Sequence, residues 1–285
     1  MIALPPRRVA PRRPPALVVL PALVAALLLP ACGCAKPAPP PRTVKPATRV
    51  RVAAASDLKS CLDALADDFQ KDFPNVDLLP TFGASGVLLS QLQAGLETDL
   101  FLAADVDLAR ALVATGRAAE EDLFETGQGR LVLWVRNESP LDVAGKGAEV
   151  LLDPSVRRVA IAHPEHAPYG RAAKAALESL GYSASVEKKL AIGGSAAQAA
   201  QYVESGAADV GILPLALALG TRLSERGRFW TVPADTHPPI RHGGVIHSRV
   251  IDREATVAFR DFLLSPRGRA ILERFGFEFP APAAP

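Results

Sequence analysis

The stretch RVRVAAASDLKSCLDALADDF, residues 49–69, sets the reading of the whole chain. Residues 49–55 alternate and end apolar, as a strand does. Leu58, Leu62, Leu65, Ala66 and Phe69 then form the stripe of an amphipathic helix, placed over residues 57–73 and stopped by Pro74. The joint between them, Ala54-Ala55-Ser56, is built of small residues. Three more joints are alike: Gly83-Ala84-Ser85-Gly86, Ala167-Pro168-Tyr169-Gly170 and Gly193-Gly194-Ser195-Ala196. A helix start carries unpaired amides and roughly half a positive charge, so it attracts anions without Lys or Arg. Four such starts predict an anion held by dipoles.

Outward from this unit, strand and helix alternate. Strands are expected at residues 76–82, 100–103, 130–136, 159–162, 210–213 and 238–248, with an edge strand at 185–190. Helices are expected at 87–94, 106–115, 171–180 and 196–205, each closed by a glycine, and at 255–264 and 266–275. Ser265-Pro266 reads as an N-cap followed by proline at the first helical position. This order predicts an α/β protein with mostly parallel sheets flanked by helices. Two loose segments, Gly127-Gln128-Gly129 and residues 236–244, predict crossovers. They divide the body into lobe 1 (49–127 plus 239–280) and lobe 2 (128–238), with the ligand beyond the carboxyl ends of the strands.

The N-terminus reads as a targeting segment, residues 1–31. Arg7, Arg8, Arg12 and Arg13 precede an apolar run at 17–29 that is too short for a comfortable membrane span. Leu29-Pro30-Ala31-Cys32 resembles a bacterial lipobox, with Cys32 as the lipid acceptor and Pro30 as a departure from the pattern. The alternative is ordinary cleavage near Ala31 with Cys32 incidental. Residues 32–48 are rich in proline and alanine and predict an extended tether. An exported protein anchored to a membrane by lipid alone is the expected layout. Without the four leader arginines the formal charge falls from +2 to −2, and no basic run follows, so nucleic acid is not an expected partner. Cys34 and Cys61 are left either as a disulfide or as two thiols.

The joints, read in register, resemble a known family. Val52-Ala53-Ala54-Ala55-Ser56, Phe82-Gly83-Ala84-Ser85-Gly86, Thr98-Asp99-Leu100-Phe101, the run from His163 to Gly170 and Phe275-Gly276-Phe277 are similar to the molybdate-binding solute receptors of ABC transporters. The resemblance implies a type II periplasmic-binding-protein fold with two lobes closing on an oxyanion. It implies Ser56 and Ser85 as hydroxyl ligands from lobe 1, and backbone amides of Tyr169 and Ala196, with Ser195 beside the latter, from lobe 2. It further implies a monomer that delivers molybdate or tungstate to an ABC permease, with no cofactor and no catalysis. Where some members carry a tyrosine donor this chain has Pro214, which has none, and Ser195 is the candidate replacement.

Plainer readings stand beside these. Ser56 and Ser85 are good helix caps; Asp57 reads as a first-turn acid pointing away from the ligand, its sharper reading being an acceptor for a protonated oxyanion such as phosphate; and Gly193-Gly194 reads as a flexible loop. His163 and His166 have metal-like spacing but are an incomplete site. The competing functions are a receptor for sulfate or phosphate and an exported hydrolase using Ser56 or Ser85. The hydrolase would need a base beside the serine, and neither patch contains His or Lys.

Overall fold

The computed structural model describes residues 48–279, so the leader, Cys32, Cys34 and nearly all of the tether lie outside the described residues. The chain first lays down β1 (Thr48–Ala55), α1 (Lys59–Phe69), β2 (Val76–Gly83), α2 (Ser85–Gln93), β3 (Leu100–Ala103), α3 (Val106–Ala114) and β4 (Ala118–Gly129). It crosses through Arg130 into β5 (Leu131–Arg136), α4 (Val143–Lys146), β6 (Val159–Ala162), α5 (Pro168–Ser179), α6 (Ser183–Val186), β7 (Leu190–Gly193), α7 (Ala196–Glu204), β8 (Val210–Pro214), α8 (Leu215–Ala218), α9 (Thr221–Ser224) and β9 (Gly227–Thr231). It then returns as β10 (Ile240–His247), α10 (Arg253–Leu264) and α11 (Pro266–Arg274).

Two five-stranded sheets result, ordered β2-β1-β3-β10-β4 and β7-β6-β8-β5-β9. In each, four strands run one way and one runs against them: β10 in the first and β5 in the second. The opposed strand is in both cases the first added after the chain changes sheet. Each sheet is covered on both faces, as the near-continuous apolar strands require. Val50, Val52 and Ala54 pack with Leu62, Leu65 and Phe69 of α1, while Ala53 between them packs with Leu88, Leu92 and Leu112 from α2 and α3. In the second sheet Leu131, Leu133 and Val135 face the alanine-rich α5, and Val132 and Trp134 face α7.

Several sequence expectations shift. The helix placed at 57–73 is a 3-10 turn, Ser56–Leu58, followed by α1, which ends at Phe69, ahead of Pro74. The strand expected at 185–190 is instead helical turns, Ser183–Val186 and Glu187–Lys189, and the true edge strand is β7. Only Val186 is buried there, so a short alternation without a buried face was misread. Strands β4 and β9 went unseen. Both are sheet edges, and β4 carries Glu120, Glu121, Asp122 and Glu125 on a half-solvated ribbon with a helix-like composition. Ser265 does cap α11, accepting the Gly268 amide at 3.2 Å with Pro266 at the first position. Among the described residues Cys61 has no disulfide partner; its thiol, buried in α1, donates to the Leu58 carbonyl at 3.2 Å.

Candidate functional site

Strands β1, β2, β3 and β6 all end at one small pocket, lined by Ser56, Asp57, Gly83, Ala84, Ser85, Ala104, Ala167, Pro168, Tyr169 and Ala196. Its free volume is about 10 Å³. Four of the five residues singled out by sequence meet there: Ser56 and Ser85 from the first lobe, Tyr169 and Ala196 from the second. The local cause is the choice of residue before each helix. The N-cap positions of the 3-10 turn, α2 and α5 are Ala55, Ala84 and Ala167, which offer no side-chain acceptor, so these starts carry no side-chain cap. The first amides of a helix have no partner within it, and residues from these starts line the shared pocket. Ser85 and Tyr169 are such residues of α2 and α5, and Ala196 of α7.

The two serines are not caps. Ser85 Oγ accepts the buried Ala104 amide at 3.0 Å, and Ser56 Oγ accepts the Ala197 amide of the opposite lobe at 3.2 Å. A hydroxyl has one hydrogen and two lone pairs. With a lone pair of each oxygen spent on a backbone amide, the hydroxyl hydrogens remain for a ligand. The pocket therefore offers donors, and no Lys or Arg lines it. Ser195 behaves differently. It is the real cap of α7, accepting the Gln198 amide at 3.3 Å, and it lines the larger cleft between α1 and α7 rather than the small pocket. Pro214 closes β8 and is paired with Leu131. The lobes also touch directly, because the Gly86 amide donates to the His166 carbonyl at 2.9 Å. A Cβ on Gly86 would lie 2.9 Å from that oxygen, so the contact needs glycine.

A donor-lined pocket between two such lobes fits a family of binding proteins, and residues 50–278 match the model of the bacterial extracellular solute-binding proteins. The chain belongs to that family. This solute-binding protein is 33% identical over 231 residues to the molybdate-binding protein ModA of Azotobacter vinelandii, covering 81% of the chain and 90% of the relative. It is 34% identical over 196 residues to ModA of Rhodobacter capsulatus, covering 69% of the chain and 75% of the relative. The solved Azotobacter vinelandii periplasmic molybdate-binding protein matches with a TM-score of 0.75 at 28% identity, covering 81% of this chain and 100% of that one. The fold is the two-lobed type II periplasmic-binding-protein fold.

Behind the pocket of this solute-binding protein lies a buried polar group that the sequence reading missed. Asp57 is 2% exposed, and its Oδ2 sits 3.3 Å from His242 Nε2, which is also 3.2 Å from the Tyr169 hydroxyl. Burial raises the Asp57 carboxyl from 3.8 to about 7 and depresses His242 from 6.5 to about 3. The Tyr169 phenol is pushed up by burial and by the neighbouring Asp57. Below about pH 7 the proton thus sits mainly on the carboxyl and the imidazole stays neutral, which spares an incoming anion a facing imidazolium–carboxylate pair. Asp57 was read as pointing away, yet it lines the pocket. The signal was present: residues 57, 61, 65 and 69 share one helical face, and all four are buried.

Two other expectations find their place. Among the described residues the hydrogen-bond partners of Ser56 Oγ and Ser85 Oγ are backbone amides, not an imidazole or an amine. His163, Glu165 and His166 bring potential donor atoms within 4.8 Å of one another on the loop before α5. His163 Nδ1 already accepts the Glu165 amide at 3.2 Å and the two rings stack at 4.5 Å, as a tight turn explains.

Proposed function

We propose that this protein captures molybdate, with tungstate as the congener of like size and charge, and delivers it to an ABC permease. The observation that carries the reading is the convergence of Ser56, Ser85, Tyr169 and Ala196, each at the start of a helix or helical turn, on one pocket between the lobes. A deprotonated tetrahedral dianion has acceptors only, so its complement is a set of donors. Both lobes contribute, so the anion stabilises the closed arrangement through its differential contacts. The ModA relatives support molybdate as the particular oxyanion. Export fits the leader-like residues 1–31, with lipid attachment at Cys32 and the tether holding the body at a membrane surface. As proposed, the receptor is a monomer that acts by binding alone.

Phosphate is the second reading, favoured by one observation. Asp57 lines the pocket and, beyond the His242 nitrogen 3.3 Å away, its Oδ2 has no hydrogen-bond partner among the described residues. With its carboxyl raised to about 7, Asp57 is partly ionised near neutral pH, and in that form it would accept a hydrogen bond from the proton of hydrogen phosphate, which deprotonated molybdate lacks. A thermal-shift panel separates the two, since a ligand that binds only the folded state raises its melting temperature by mass action. Molybdate and tungstate are expected to raise the melting temperature and sulfate and phosphate to leave it nearly unchanged. A shift with phosphate alone would replace the molybdate reading.

A further inference from the structure

Tyr169 enters the functional reading only through its backbone amide, yet its side chain makes a contact of its own. The residue is the second of α5, in the lobe opposite the serines, and it is 2% exposed. Its hydroxyl reaches back across the cleft to His242 of β10 at 3.2 Å. His242 is itself fully enclosed, beside Asp57 and edge-on to Phe277 with ring centres 4.9 Å apart. The hydroxyl also rests against Gly129, the last residue of β4 before the chain crosses to the second lobe. A Cβ built on Gly129 would fall 1.9 Å from the Tyr169 oxygen and 3.1 Å from His242 Nε2. A single hydroxyl therefore joins three elements: the crossover strand, the return strand and the helix whose start lines the pocket.

We propose that Tyr169 is a positioning residue, whose hydroxyl, held by His242 and seated against Gly129, fixes the start of α5 opposite Ser56 and Ser85. The contact lies at the crossover, where the lobes turn on one another. Small errors there are carried along the helix start into the donor geometry of the pocket. Gly129 is then required by this contact and not by its backbone angle. The inference rests on the oxyanion-receptor reading above and adds a residue to it.

The test is molybdate affinity by titration calorimetry for Tyr169→Phe, Gly129→Ala and the double variant, with the unliganded melting curve recorded for each. Removing one buried hydrogen bond from the positioning contact is expected to weaken molybdate by about three- to tenfold in Tyr169→Phe. Gly129→Ala displaces the same hydroxyl and is expected to weaken binding at least as much. Because both act through one group, the double variant should bind no worse than Gly129→Ala alone. Should Gly129→Ala fail to fold, Tyr169→Phe with His242→Gln supplies the same cycle. Wild-type affinity in Tyr169→Phe, or losses that multiply in the double variant, overturns the proposal. Failure of the unaltered protein to bind molybdate at all would instead refute the functional reading, so the two failures are distinct.

Discussion

Asp57 and His242 lend themselves to a prediction with a worked sign. The folded protein holds the carboxyl at about 7 and the imidazole at about 3, against ordinary values of 3.8 and 6.5. At about pH 5 the unfolded chain therefore carries one proton on the pair, on His242, and the folded chain also carries one, on Asp57. The counts match, so the pair contributes no slope to stability between about pH 4 and 6.5. Asp57→Asn breaks the balance. The remaining His242 has a depressed folded value, because its cause is burial and not the aspartate, and stability is lost as pH falls from 6.5 toward 3. The slope is about 1.4 kcal/mol per pH unit, or about 2 kcal/mol between pH 6.5 and 5. His242→Gln leaves Asp57 with a raised value, so that variant is most stable in acid and loses stability as pH rises from 3.8 toward 7. The assay is urea unfolding at several pH values and constant ionic strength, taken as variant minus wild type. Opposite slopes are expected. Parallel profiles, or slopes of the same sign, would refute the placement of the shared proton.

Ser85→Ala should weaken molybdate by about 10- to 100-fold through a lost bond to a charged ligand, and lower stability by about 1–3 kcal/mol by orphaning the buried Ala104 amide. Calorimetry and urea unfolding read the two effects separately, and an unchanged titration would remove Ser85 from the site. Since no Lys or Arg lines the pocket, molybdate affinity should vary by less than about threefold between 0.05 and 0.5 M salt. A steep decline with salt would reveal a cationic contact.

The sheet centres were legible because buried strands leave unmixed apolar runs. Residues 100–103 and 159–162 are strands at the bounds the sequence suggests. The edge strands β4 and β9 were not, since their residues mix polar and apolar along a half-solvated side, whereas the edge strand β2 was placed at 76–82 and lies at Val76–Gly83. The helix starts were legible as patches of small residues, and four of five site residues meet in one pocket. Ser195 showed the limit of that signal. A serine before a helix reads alike whether it caps its own turn or, as with Ser56 and Ser85, accepts an amide from elsewhere. His242 left no trace, because its partners lie 185 and 73 positions away and only the folded chain brings them together.

The direct bonds between the lobes, among them Gly86 to His166, Ala197 to Ser56 and Tyr169 to His242, bear on how fast this protein can fill. None of these involves cargo, so the lobes can hold one another while empty, around a pocket with room for roughly one water. Encounters with a shut molecule are wasted. Uptake should then count openings and not collisions, with an association rate scaled down by the fraction of time the lobes stand apart. Each further kilocalorie in those bonds would sharpen retention and slow capture by about fivefold.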